Sequence, residues 1–274
     1  MLRIIFAFFL TILLPTMVLA ESKPLAVIDT HIHYSHDAWG RIPPPEAVRI
    51  LRDAGLKKAF VSSSSDEGTQ KLYQQAPDLI VPVLRPYRLR GETGTWMHDE
   101  TVIDMLSELL EKNQYAGIGE FHAFGSDIEL PVLQAVIALA KKHKLFLHAH
   151  SDADAIKRIF KHDPSATVLW AHSGFVSPDE VRAMLAEYPN LWADLAFRSS
   201  HAINGEVDPE WETLFTDYPN RFMVGADTFT PERWYYIVEH ANWSRAWLNT
   251  LPQTLAENIA HKNAENLINN ARLK

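Results

Sequence analysis

The stretch VIDTHIHY, residues 27–34, decides the fold. It opens as an apolar strand and then sets Asp29, His31 and His33 at every second position. Residues two apart in a β-strand point to the same face. One face therefore carries a carboxylate and two imidazoles, and the other carries Ile28, Thr30 and Ile32. Burying such groups without partners costs several kcal/mol each. The strand must end where its polar face meets something that satisfies it.

Working outward, short apolar runs recur at residues 25–33, 58–63, 79–86, 116–122, 144–150, 167–172, 191–197 and 221–227. Each is rich in branched or aromatic residues and too brief for a helix. Helix-like stretches lie between them, at 44–55, 66–77, 99–113, 129–143, 152–164 and 177–189. Ser177 and Pro178, followed by Asp179 and Glu180, supply a cap, a first-turn proline and acids that suit the helix dipole. Gly55 and Pro189 stand where helices should stop. Strand–helix alternation repeated about eight times predicts a parallel sheet. No glycine-rich dinucleotide turn follows the first strand, which weighs against an open, doubly wound sheet. The reading is an α/β chain folded as a (β/α)8 TIM barrel, with a metal site at the C-terminal ends of the strands.

The polar residues carry the site. The first strand ends in His31 and His33, the fourth in Glu120 with His122 after it, and the fifth in His148 and His150. The sixth ends in His172 and the eighth in Asp227. A barrel brings all these ends to one mouth. Imidazoles and carboxylates together suit a divalent transition metal, whereas magnesium or calcium would need more oxygens. Zinc is expected, with manganese, iron and cobalt also fitting, at one or two ions per chain.

The order His-x-His, Glu, His, His, Asp on successive strands resembles the amidohydrolase superfamily of metal-dependent hydrolases. The pieces GIGE (117–120), LHAHSD (147–152) and WAHSGF (170–175) resemble its branch that includes aminocarboxymuconate-semialdehyde decarboxylase and dicarboxylate lactonases. The resemblance covers essentially the whole chain after the leader. Much of the superfamily carries a carboxylated lysine on the fourth strand, where this chain has Glu120. The resemblance implies His31 and His33 as ligands of the more buried metal, with Glu120, bridging if there are two metals, His150, His172 and Asp227 completing the set. Asp227 would also be the general base, and His172 a catalytic imidazole if only one metal is bound. Asp29 is expected to orient an imidazole and His148 to sit below His150. Arg85 and Arg198 are expected to meet an anionic substrate through planar paired contacts. Trp39, Tyr87 and His122 are expected as further substrate contacts, near Tyr34, His36, Arg88 and Arg90. The tryptophans of the C-terminal helical region, Trp234, Trp243 and Trp247, read as packing.

Composition narrows the partners. The net charge is −8, and the sequence shows no basic run or basic–aromatic stripe, so a phosphate-footprint mode of nucleic-acid binding is not expected. The chain has no cysteine, which excludes disulfides, thiolate ligands and a lipidated cysteine anchor. Residues 1–20, MLRIIFAFFLTILLPTMVLA, have the layout of a secretory signal peptide ending in Val18-Leu19-Ala20. The expected product is a single domain over 21–274, secreted to a bacterial periplasm, with no stable membrane association after cleavage. The leading function is a metal-dependent hydrolase that activates water against a small, anionic lactone, ester, amide or phosphoester. The alternatives are a single-metal decarboxylase and a non-catalytic periplasmic binding protein.

Overall fold

The computed structural model describes residues 24–269. The leader read in residues 1–20 lies outside them. The strands are β1 (Val27–Ile32), β2 (Leu56–Val61), β3 (Ile80–Leu84), β4 (Gly117–His122), β5 (Phe146–His150), β6 (Val168–Trp170), β7 (Leu191–Asp194), the short β8 (Ala202–Ile203) and β9 (Glu206–Val207), and β10 (Phe222–Met223). The helices are α1 (His36–Trp39), α2 (Pro44–Asp53), α3 (Asp66–Gln75), α4 (Thr101–Lys112), α5 (Pro131–His143), α6 (Ala153–His162), α7 (Pro178–Glu187), α8 (Pro209–Asp217), α9 (Ile237–Leu248), α10 (Gln253–Glu257) and α11 (Asn263–Asn269).

Strands β1 to β7 and β10 form one 8-stranded sheet in sequence order, with every pair parallel. The sheet closes where the Thr30 amide donates to the Val224 carbonyl at 2.9 Å and the Asp227 amide donates to the His31 carbonyl at 2.7 Å. This is the expected barrel. Helices between the strands bury apolar faces against it: Ile156, Ile159 and Phe160 of α6, and Val132, Leu133 and Val136 of α5, are all buried. A separate cluster joins Ile28, Phe60, Val81, Val83, Phe146, Leu169 and Met223 with Leu267 and Ile268 of α11. Because it draws on six barrel strands, it is the interior layer of the barrel, and α11 seals it.

The eighth strand is shorter than the run 221–227 suggests. Only Phe222 and Met223 stay in the ladder, because the chain turns into a left-handed conformation at Asp227 (φ 55°). Gly225 sits in this turn, where a Cβ would come within 2.8 Å of the His31 Cβ. Only glycine lets the last strand pass His31 so closely. The short hairpin β8–β9 and helix α8 lie between β7 and β10 and were not read from the sequence. Asp208 caps α8 by accepting from the Glu210 and Trp211 amides, a signal present in the sequence.

Candidate metal centre

His31 and His33 reach the barrel mouth from β1 with their rings 5.0 Å apart. Each ring is fixed through Nδ1. His31 Nδ1 lies 3.1 Å from Asp194 Oδ2, and His33 Nδ1 donates to the Ser62 carbonyl at 2.8 Å. His172 follows the same rule, its Nδ1 donating to the Ala196 carbonyl at 2.8 Å. A ring that donates through Nδ1 can offer a lone pair on Nε2 in its neutral form, the form in which an imidazole ligates a metal. All three Nε2 atoms point at one set of carboxylate oxygens. His33 Nε2 is 3.2 Å from Glu120 and 3.4 Å from Asp227, His31 Nε2 is 3.4 Å from Glu120, and His172 Nε2 is 3.5 Å from Glu120.

Glu120, near the end of β4, is buried and central. Its Oε1 also meets His150 Nδ1 at 2.9 Å, and its Oε2 takes an ion pair from Arg85 at 2.8 Å. Burial alone would raise its pKa. The His31 imidazole and the hydrogen bonds from His150 and His172 override that and hold it well below the usual range. Asp227 is likewise held at about 2, against its burial, by His31 and His33. Its backbone is anchored by Arg233, which donates to the carbonyls of Asp227 and Ala226.

Asp194, at the end of β7, was missed by the sequence reading. It is fully buried, and it accepts from the ring nitrogens of His31 and His148 (2.9 Å) and from the amides of His172 (2.9 Å) and Ala196 (3.0 Å). Burial opposes its charge, yet His31 and the bond from His148 hold its pKa far down. The signal for it existed: an aspartate in LWADLAF, at a strand's C-terminal end. Asp29 does not orient an imidazole. Pairing of β1 with β2 is irregular between Asp29 and Ile32, and the Asp29 carboxylate accepts from the backbone amides of His31 and Ala226 instead. Burial pushes its pKa up to about 7. His148 sits against the His31 ring at 4.5 Å, bonded to Asp194, with its pKa lowered to about 4 by burial and by His31.

A cavity of about 320 Å³ opens over these groups, lined by Glu120, His122, His150, His172 and Asp227, with Arg85 and Arg90 on one side and Phe175, Phe197 and Phe229 on the other. His122 stacks on His150 at 4.1 Å, and burial lowers its pKa to about 3. Arg85 faces the cavity, but its charge is taken by Glu120. Arg198, expected at the substrate, does not line this cavity. Its guanidinium donates to the His172 and Val176 carbonyls and lies over the Trp211 ring at 4.6 Å. Trp39 and Tyr87 also lie outside the lining. The Trp39 indole donates to the Tyr34 carbonyl, and the buried Tyr87 hydroxyl binds the His122 ring and amide from behind. Tyr34 is buried against the Ile42 carbonyl, and Arg88 pairs with Glu92 and Asp99.

The residues fit a metal. His31 Nε2 and His33 Nε2 are buried and have no hydrogen-bond partner. Donor atoms of His31, His33 and Asp227 cluster within 4.8 Å of one another, as do those of Glu120, His150 and His172. Orphaned lone pairs facing carboxylates are what an N/O metal site requires.

A parallel eight-stranded barrel with this donor set at its mouth defines a metal-dependent hydrolase. The amidohydrolase family pattern matches residues 28–269, and the chain belongs to that family. No curated protein matches the chain. An uncharacterized TIM-barrel protein of Bordetella bronchiseptica is 15% identical with a TM-score of 0.62, covering 90% of this chain and 99% of that one. A provisionally assigned 2-pyrone-4,6-dicarboxylic acid hydrolase of Pseudomonas putida is 13% identical with a TM-score of 0.60, covering 90% and 98%. N-isopropylammelide isopropylaminohydrolase of Burkholderia multivorans is 13% identical with a TM-score of 0.56, covering 87% and 73%. At these identities the likeness is one of fold.

Proposed function

We propose that the protein hydrolyses a carbonyl or phosphoryl bond of a small molecule, a lactone, ester, amide or phosphoester, using two divalent ions, zinc by preference. The observation that carries the reading is the pair of unpartnered Nε2 atoms on His31 and His33 facing Glu120 and Asp227. His31, His33 and Asp227 would hold the buried ion, and Glu120, His150 and His172 the outer one. Bound metal would make water acidic enough to ionise near neutral pH and polarise the substrate oxygen.

The chain's own groups do the rest. Asp227, ionised through the neutral range, takes the proton from the attacking water and passes it to the leaving group. Arg85 fixes Glu120 through its ion pair and through a bond from Nε to the Glu120 carbonyl at 3.1 Å. His122, kept neutral by burial, offers its ring to substrate from the cavity wall. Secretion to a periplasm is part of the proposal and rests on the leader layout of residues 1–20.

Elemental analysis of protein purified without chelator tests the reading. Two equivalents of zinc or manganese, with turnover in an ester, lactone, amide and phosphoester panel, support it. One equivalent frees His172 and favours the decarboxylase. No metal, and no thermal stabilisation when metal is added back, overturns it.

A further inference from the structure

The cavity over the carboxylates has two unlike sides. Arg85, Arg90 and Thr93 line one, and both arginines are already neutralised, Arg85 by Glu120 and Arg90 by Asp37. Phe175, Phe197 and Phe229 line the other, on the loops after β6, β7 and β10. These rings are 50%, 50% and 42% exposed, in a chain whose largest side chains are mostly buried.

They form one continuous surface. Phe175 stacks on His172 at 4.5 Å, Phe197 stands edge-on to Phe175 at 6.4 Å, and Phe229 stands edge-on to Phe197 at 5.5 Å. Apolar surface thus runs from an imidazole of the centre out to the rim. Two of the three rings sit on strained backbone, at φ 55° for Phe175 and 51° for Phe197. A bulky side chain seldom adopts the left-handed region, and such strain gathers where a side chain must be aimed. The Arg233 guanidinium braces the outer pair, lying over the Phe197 ring at 4.8 Å and over the Phe229 ring at 5.3 Å. Packing does not account for rings that are half exposed and held at a cost. A ligand that covers them does.

We infer that Phe175, Phe197 and Phe229 form a specificity pocket for an uncharged aromatic ring, carried by the substrate beside the bond that is cleaved. Faces and edges are both presented, as ring-on-ring packing requires. The two arginines that line the cavity are each paired, Arg85 with Glu120 and Arg90 with Asp37, so a second carboxylate on the substrate would have to displace one of those acids to reach them. This inference rests on the cavity being the hydrolytic site.

Hydroxamates test it without turnover, because they chelate the metal and project one substituent. The probes are benzohydroxamate, acetohydroxamate and the carboxylate-bearing succinohydroxamate, titrated calorimetrically into the zinc-loaded protein. Benzohydroxamate should bind about tenfold more tightly than either of the others. Phe197→Ala with Phe229→Ala should bring the benzo-to-aceto ratio close to one, and Phe197→Leu should lower it partway. Circular dichroism and zinc content of the same samples verify that the variants fold. A ratio near one in the native protein, tighter binding of succinohydroxamate, or an unchanged ratio in the double variant overturns the ring pocket. No bound metal in the native sample, and no thermal stabilisation when metal is added back, overturns the hydrolase reading and this inference together. Zinc present with a ratio of one overturns the ring pocket alone.

Discussion

His31 Nδ1 and Asp194 Oδ2 lie 3.1 Å apart, both side chains fully buried. Through this contact β7 sets the ring of a residue on β1, its next-but-one neighbour in the closed barrel, with β10 between them. The same oxygen holds His148 of β5, and the other oxygen holds the amide of His172. One carboxylate thus fixes the tautomer of His31 and the backbone of the loop that presents His172.

Asp194→Asn should weaken metal binding about 10–100-fold, because groups that orient a ligand imidazole commonly contribute that much. A competition titration with a chromogenic zinc chelator measures it. Unchanged affinity would show that His31 needs no anchor.

Asp227→Asn should keep the fold and lower kcat by about 100-fold or more, the size of a general-base contribution. Elemental analysis and a steady-state assay are read on the same sample. Full activity would remove the proton-transfer role.

Arg85→Met should destabilise the protein by about 3 kcal/mol. It strands the Glu120 charge in a site where both partners are buried, and breaking one side of a buried pair carries a cost of that order. Urea unfolding of the metal-free protein gives the difference. A change below about 1 kcal/mol, the size expected of a surface pair, would show that water reaches Glu120.

Asp66 gives a pH signature away from the centre. Its Oδ2 accepts from the Tyr115 hydroxyl at 2.6 Å, its Oδ1 is buried without a partner, and burial raises its pKa to about 6. The folded state therefore binds this proton more tightly than the unfolded state. The stability it contributes is full below about pH 4, falls between pH 4 and 6, and is absent above, a change of about 3 kcal/mol. Asp66→Asn should flatten that part of the stability–pH curve in urea titrations at stepped pH. A slope identical to that of the native protein would refute the assignment.

Most of the barrel was legible in the chain. The apolar runs and helix stretches fall on the observed elements within a few residues, because strand and helix periods are local and the caps are written beside them. Ser177 caps α7 through a bond to the Glu180 amide, as its sequence context says. Helix α8 and the β8–β9 hairpin escaped, because they fill a loop that the eightfold rhythm does not require.

The sequence by itself determined the alternation of strands and helices, and with it which residues share the mouth. Parallel strands all end on one side, so His31, His33, Glu120, His150, His172 and Asp227 had to converge wherever the barrel closed. Only the tertiary structure decided which groups pair once they are there. It gave Asp194 to His31 and His148, Arg85 to Glu120, and Asp29 to backbone amides, and it turned Arg198 onto carbonyls outside the cavity. It also swung Phe175 and Phe197 to the rim through left-handed backbone that no local pattern announces. The reason is physical: periodicity acts along the chain, whereas ring orientation, charge pairing and exposure depend on neighbours brought in by closure from distant strands.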